Sequence, residues 1–140
     1  MSSSSPPSLP RQPTSIRALY TSSLVVQSID TFAFYTVSPL LFPNRSDFAH
    51  PATRFFLRQN ATLVFPYVLS AWLLRDYHIR RTRVGRVIGS CFGLYHASAV
   101  LMYSWSRWVG GEYRVEPFWG IVGIHAVWAV WAGWGLVKAE

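Results

Sequence analysis

Three ionisable residues, Asp30, His96 and His125, lie inside long apolar stretches of the sequence. Ionisable side chains are costly to place in a bilayer and usually mark a functional site there. An imidazole exchanges protons near neutral pH and a carboxylate can orient it, so this trio could perform general acid–base chemistry. The residues therefore indicate a membrane-embedded enzyme of the isomerase, cyclase or oxygenase type that acts on a lipophilic substrate. No metal or cofactor is predicted for it.

A structural role competes with the catalytic one. A buried Asp–His or His–His hydrogen bond can join transmembrane helices and contribute about 0.6 to 2 kcal/mol. A metal site of two imidazoles and a carboxylate is a third interpretation, but no two of these ligands lie four residues apart on one helix. The sequence slightly favours a non-catalytic bundle or accessory subunit, and whether the protein is an enzyme stays open.

Four apolar stretches must position these residues. Each is about 20 residues long, which at about 1.5 Å of helical rise per residue crosses the roughly 30 Å hydrocarbon core of a bilayer. The sequence therefore predicts an all-α polytopic membrane protein in which four transmembrane helices form an antiparallel bundle. The predicted spans are residues 18–38, 55–74, 84–105 and 118–137.

The two ends of the chain are polar. Residues 1–17 are rich in serine and proline and predict a disordered cytoplasmic tail, and residues 138–140 form a short cytoplasmic C-terminus. A net charge of +7 would suit nucleic acid, but the aromatic residues that could stack on bases lie within the apolar stretches instead. The predicted partner is therefore the lipid bilayer and not nucleic acid. The single cysteine, Cys91, excludes a disulfide framework.

The distribution of lysine and arginine predicts the orientation, because cytoplasmic loops retain positive charge. Eight basic residues would share the side of both termini, whereas five would lie on the opposite side. Both termini are therefore predicted to be cytoplasmic, and the sequon at Asn44 would lie in a lumenal loop where glycosylation is permitted. The predicted location is the endoplasmic reticulum or another endomembrane. The Arg- and Ser-rich, acid-poor start makes a mitochondrial membrane the alternative.

This orientation places the three ionisable residues at one depth. Asp30, His96 and His125 lie seven to nine residues from the lumenal ends of their spans, which corresponds to about 10 to 14 Å by helical rise. Ser23 and Gln27 continue the face of Asp30, while small residues continue the faces of both histidines. All three side chains are therefore predicted to point into the bundle.

Small residues recur every four positions along the third span, where they form one helical face. In lipid, close backbone approach over such residues holds helices together. The stripe predicts that another helix lies against it, with the fourth span as the natural antiparallel neighbour, although it could instead serve a homo-oligomer. The stripe consists of Gly85, Gly89, Gly93 and Ala97.

Two further segments complete the predicted layout. The second span contains Arg58 near its start and Pro66 near its middle, and the proline should kink the helix. The loop that follows, RDYHIRRTR, is predicted to set the orientation and to contact anionic lipid. His78 belongs to this loop. Tryptophans along the fourth span, Trp128, Trp131 and Trp134, could line a pocket for a lipophilic small molecule, although packing is the more common role.

The layout also resembles a known group of membrane proteins. The first span ends near Pro39, an arginine, Arg54 or Arg58, opens the second span, and a basic middle loop precedes glycine-rich later spans. In these features the chain resembles the small DoxX-like four-helix integral membrane proteins and, secondarily, fungal anthrone-oxygenase-like membrane proteins. The resemblance implies a four-helix membrane fold over about residues 18–137. Because it rests on architecture, it implies no catalytic residue.

Overall fold

The computed structural model describes residues 10–36, 50–110 and 117–139. These residues are almost entirely helical and contain no strand, which confirms the predicted all-α class. A single π-helical turn, Ser106–Gly110, extends the third helix. The four helices are α1 (Thr14–Thr36), α2 (Pro51–Leu73), α3 (Arg83–Trp105) and α4 (Phe118–Lys138).

Helix α1 begins at Thr14, four residues before the predicted first span. Gln12, which precedes it, is buried, and its Oε1 accepts a hydrogen bond of 2.8 Å from the backbone N–H of Ile79. The ordered chain therefore extends into the segment predicted to be a disordered tail. Residues 1–9 of that segment lie outside the described residues.

Helix α2 begins at Pro51, four residues before the predicted second span. Proline is well suited to the first position of a helix, because it has no N–H and its φ angle already fits. The side chain of His50 accepts a hydrogen bond from the N–H of Ala52 and caps this end. Arg58 consequently lies inside the helix rather than at its start, and the helix continues through Pro66.

The helices pack as two antiparallel pairs. Helix α3 lies along α4 and helix α1 lies along α2, while α1 also contacts α4. The predicted pairing of the third and fourth spans is therefore confirmed. Helices α2 and α3 meet at only a few residues.

Ile79, in the loop between α2 and α3, packs between α3 and α4 at one end of the bundle. Its side chain is fully buried and lies against Gly89 of α3 and Gly135 of α4, while Ile16 of α1 also contacts Gly135. Three helices and the loop therefore meet here. We call this end of the molecule, formed by residues 10–17, 75–89 and 135–139, the basic end.

The stripe of small residues on α3 has two kinds of neighbour. Gly93 faces the predicted neighbour, since a Cβ there would lie 3.5 Å from the Cβ of Ala132 on α4, and a Cβ at Gly89 would lie 3.3 Å from Cδ2 of Leu136 on the same helix. Gly85 lies against the backbone of His78, and Gly89 lies mainly against Ile79. The expectation that another helix fills the stripe is therefore wrong at Gly85, where the preceding loop turns back onto α3. Ala97, the last member of the stripe, is half-buried.

Two segments of the described chain are long and apolar enough to cross a membrane. They are Arg83–Gly110, which includes α3, and Phe118–Lys138, which is α4. Within the described residues, two of the four predicted spans therefore meet the length and hydropathy expected of a membrane-crossing helix, and α1 and α2 do not.

Candidate functional site

His96 and His125 meet in the interior between α3 and α4. Their Nδ1 atoms are 2.8 Å apart, and the two residues are 0% and 6% exposed. Gly93, one turn before His96, faces Ala132 and allows the two backbones to approach closely. The small residues therefore bring the two imidazoles within hydrogen-bonding distance.

The short Nδ1–Nδ1 distance restricts which ring nitrogens of the pair can carry a proton. A neutral imidazole carries one N–H and one bare nitrogen. One ring must donate its Nδ1–H to the bare Nδ1 of the other, so two neutral rings hold opposite tautomers. Two imidazolium ions could not form this bond, because both nitrogens of each would be donors. The geometry therefore requires at least one neutral ring.

Aromatic rings enclose the histidine pair. The ring of His96 has its centroid 4.4 Å from that of Phe92, 4.9 Å from Tyr95 and 4.8 Å from Trp128. Trp128 is buried, and its indole N–H donates a hydrogen bond of 3.1 Å to the hydroxyl of Ser22 on α1. Trp128 therefore covers the pair and connects α4 to α1. The sequence pattern predicted packing as its more common role.

Asp30 does not join the histidines. Its carboxyl group is half-buried on α1 and lies in the electrostatic neighbourhood of the Tyr95 and Tyr103 hydroxyls. Within the described chain no hydrogen bond connects it to His96 or His125. The expectation that Asp30 orients one imidazole is therefore wrong; each histidine is oriented by the other.

Several buried polar atoms on α1, α2 and α3 have no hydrogen-bond partner within the described residues. Each such atom costs about 1 to 3 kcal/mol if it stays unpaired. Four of them follow one face of α1, at the spacing of three or four residues that a helix requires. The atoms are Tyr20 Oη, Ser23 Oγ, Gln27 Nε2 and Thr31 Oγ1 on α1, Tyr67 Oη on α2 and His96 Nε2 on α3.

The tyrosines were not predicted as site residues. Tyr67 of α2 packs against Tyr95 of α3 with ring centroids 5.2 Å apart, and Tyr20 of α1 packs edge-on against Phe92. The spacing from Tyr20 to Ser23 and Gln27 would have been a usable signal in the sequence. Tyr67 gives a weaker signal, because Leu63, Val64 and Ala71 on its face of α2 are apolar and Ser70 is the polar exception.

The basic loop is more ordered than its composition predicts. His78 is 0% exposed, and its Nδ1 accepts backbone N–H groups from Arg80 and Arg81 at 3.2 and 3.3 Å. The guanidinium of Arg17 forms a 3.0 Å ion pair with Asp76. His78 is therefore a buried turn residue of the loop and not one of its solvated polar groups.

The glycosylation site and the tryptophan-lined pocket were also predicted from the sequence. Asn44, the predicted glycosylation site, lies outside the described residues. Two apolar grooves open on the outer surfaces of α3 and α4; Trp131 and Trp134 line one of them, whereas Trp128 lies in the interior. Neither groove contains His96 or His125. Among the described residues, no group of three or more potential ligands could hold a metal ion.

Comparison with known proteins gives no relative. No protein-family model matches the chain, and no match was found among curated proteins or solved structures.

Proposed function

We propose that the chain is a small integral membrane protein whose four helices cross the bilayer, and that its role is that of a non-catalytic bundle or accessory subunit. The observation that carries this proposal is the hydrogen bond between His96 and His125. A buried polar pair enclosed by aromatic rings holds two helices together in an apolar medium. In this role the histidines determine which faces of α3 and α4 meet.

The outer surface supports a membrane location for all four helices. Large apolar side chains, each at least half exposed, project outward from every one of them. Contiguous apolar surface of this kind marks a membrane or protein interface. Examples are Ile29 and Phe32 on α1, Phe56 and Leu63 on α2, Leu94 and Leu101 on α3, and Val127 and Val130 on α4.

The positions of the charges support cytoplasmic termini. The basic end gathers the start of α1, the loop from Arg75 to Arg86 and the end of α4. Aromatic residues occupy the opposite end, where Trp108 packs against Phe118 and Trp119, as in an interfacial belt. We place the protein in the endoplasmic reticulum or another endomembrane, with a mitochondrial membrane as the alternative. The DoxX-like resemblance belongs to the same proposal.

Glycosylation mapping tests this topology. We expect the sequon at Asn44 to be modified when the loop around it is lengthened by about 20 residues, because the acceptor then clears the membrane surface. Sequons appended to either terminus should stay unmodified, and alkaline carbonate should leave the protein in the membrane pellet. The matched control is Asn44→Gln in the lengthened loop. Modification at a terminus would overturn the orientation, and release by carbonate would overturn the membrane assignment.

One observation favours a second function, that of a membrane enzyme. His96 Nε2 is buried without a partner in the described chain, and in one tautomer of the pair this nitrogen is a bare base. A relay from His96 to His125 would then allow acid–base chemistry on a lipophilic substrate. The histidine substitutions described in the Discussion separate this function from the structural one.

A further inference from the structure

The buried polar atoms on α1, α2 and α3 form one connected set. Tyr67 is close enough to Tyr20 and Tyr95 for their hydroxyls to interact electrostatically, and Gln27 lies within reach of the Tyr95 hydroxyl. Tyr95 in turn packs against the ring of His96. Polar groups of Tyr20 and Gln27 on α1, Tyr67 on α2 and His96 on α3 therefore lie around Tyr95 and its neighbours.

A purely structural role does not explain this set. A bundle gains most from buried polar groups when they bond to one another, as His96 and His125 do. Gln27 lies within hydrogen-bonding reach of the Tyr95 hydroxyl, but the hydroxyls of Tyr20 and Tyr67 have no partner in the described chain. The buried hydroxyls of Tyr20 and Tyr67 therefore have hydrogen-bonding capacity that no described residue fills.

We infer that the region between α1, α2 and α3 is a binding site for a neutral, oxygen-bearing lipophilic molecule. The inference goes beyond the proposed function, because the α3–α4 pair forms whether or not this region is filled. The residues that would bind the ligand are Tyr20, Ser23, Gln27, Thr31, Tyr67 and His96.

The chemistry of the residues defines the ligand class. Gln27 Nε2 can only donate, and the tyrosine hydroxyls can donate or accept, so the ligand must carry oxygen acceptors such as carbonyl, ether or hydroxyl groups. No lysine or arginine is among the six residues, and the Asp30 carboxyl lies nearby, at Tyr95. This arrangement disfavours an anion. The aromatic rings of Phe92 and Tyr95 provide apolar walls for the body of the molecule.

The route by which a ligand would reach this site from the bilayer lies between α2 and α3. These helices meet at only a few residues, and the ring pair of Tyr67 and Tyr95 spans the space between them. A lipophilic ligand would therefore enter sideways without crossing water.

A photoaffinity experiment tests the site. Benzophenone, a neutral aromatic ketone, is irradiated with the purified full-length protein in lipid nanodiscs, and labelled residues are identified by mass spectrometry. We expect labelling around Tyr67 and Phe92 that excess fluorenone prevents. Fluorene, which has the same ring skeleton without the carbonyl oxygen, should not compete. Labelling confined to the outer apolar surface, or equal competition by fluorene, would overturn the inference.

Two variants locate the interaction and allow for misfolding. Gln27→Leu and Tyr67→Phe should each weaken fluorenone protection by about fivefold or more, since each removes one hydrogen-bonding group from the site. The matched control is Ser28→Ala, because the Ser28 hydroxyl already bonds to the carbonyl of Leu24 on the same helix. The thermal midpoint without ligand should not fall in Tyr67→Phe. Unchanged protection in both variants, or the same loss in Ser28→Ala, would contradict the assignment.

Discussion

Gly85→Ala should destabilise the bundle by about 3 kcal/mol, near the upper end of the cost of overpacking. A Cβ at this position would overlap the backbone carbonyl of His78 and would lie 2.8 Å from the hydroxyl of Thr82. That hydroxyl accepts the N–H of Gly85 at 2.9 Å and caps α3. Because the overlapping atoms belong to the backbone and not to a flexible side chain, the loop must move. Ile79 moves with the loop and loses its packing against the bundle.

Glycines in open positions of α4 provide matched controls for this change. A Cβ at Gly123 or Gly133 would meet nothing within 4 Å, and alanine is a better helix former than glycine by up to about 1 kcal/mol. Gly123→Ala and Gly133→Ala should therefore be neutral or slightly stabilising. The measurement is the thermal unfolding midpoint in detergent, followed by tryptophan fluorescence. An unchanged midpoint in Gly85→Ala would show that the loop does not pack on α3 as described.

Replacing either histidine alone should lower the free energy of unfolding by more than half of what replacing both does. His96→Leu leaves His125 Nδ1 unpaired in an apolar interior, and His125→Leu does the same to His96. Each single change should cost about 2 to 4 kcal/mol, from the lost bond, the unpaired group and the altered packing. In the double variant no buried imidazole is left unpaired. The two single effects should therefore sum to more than the double effect, with a coupling energy of about 0.6 to 2 kcal/mol.

The histidine cycle needs a control and a second readout. Ser98→Leu introduces the same side chain on the exposed face of α3, two residues from His96, and should leave stability unchanged. Protein abundance in the membrane is measured beside the small-molecule content of the host's lipid extract. Loss of abundance in both single variants supports the structural role. Normal abundance with a changed lipid extract would overturn it in favour of the enzyme.

The sequence predicted the histidine contact because hydropathy and charge alone place residues at a depth. His96 and His125 fall at one level, on faces that small residues make suitable for close packing. The structure places their Nδ1 atoms 2.8 Å apart. Depth and face are local properties of a helix, so a single sequence can provide them.

The sequence could not predict the place of Asp30, because that depends on how far α1 is from α3 and α4. Tyr95 and Tyr103 lie near the carboxyl group. The depth of a residue along its span does not predict which side chains surround it. The buried position of His78 was missed for a related reason. Loop composition predicts solvation, whereas the packing of Ile79 against Gly89 and Gly135 pulls the loop onto the bundle.

Nuclear magnetic resonance can measure the hydrogen bond between His96 and His125 directly. The full-length protein, labelled with nitrogen-15 at histidine, is studied in lipid nanodiscs. We predict a nitrogen–nitrogen coupling between the two Nδ1 atoms, one protonated and one bare, that disappears in His125→Leu. Two uncoupled imidazoles in the folded protein, each with the Nδ1 signal of an isolated ring, would show that this hydrogen bond does not form.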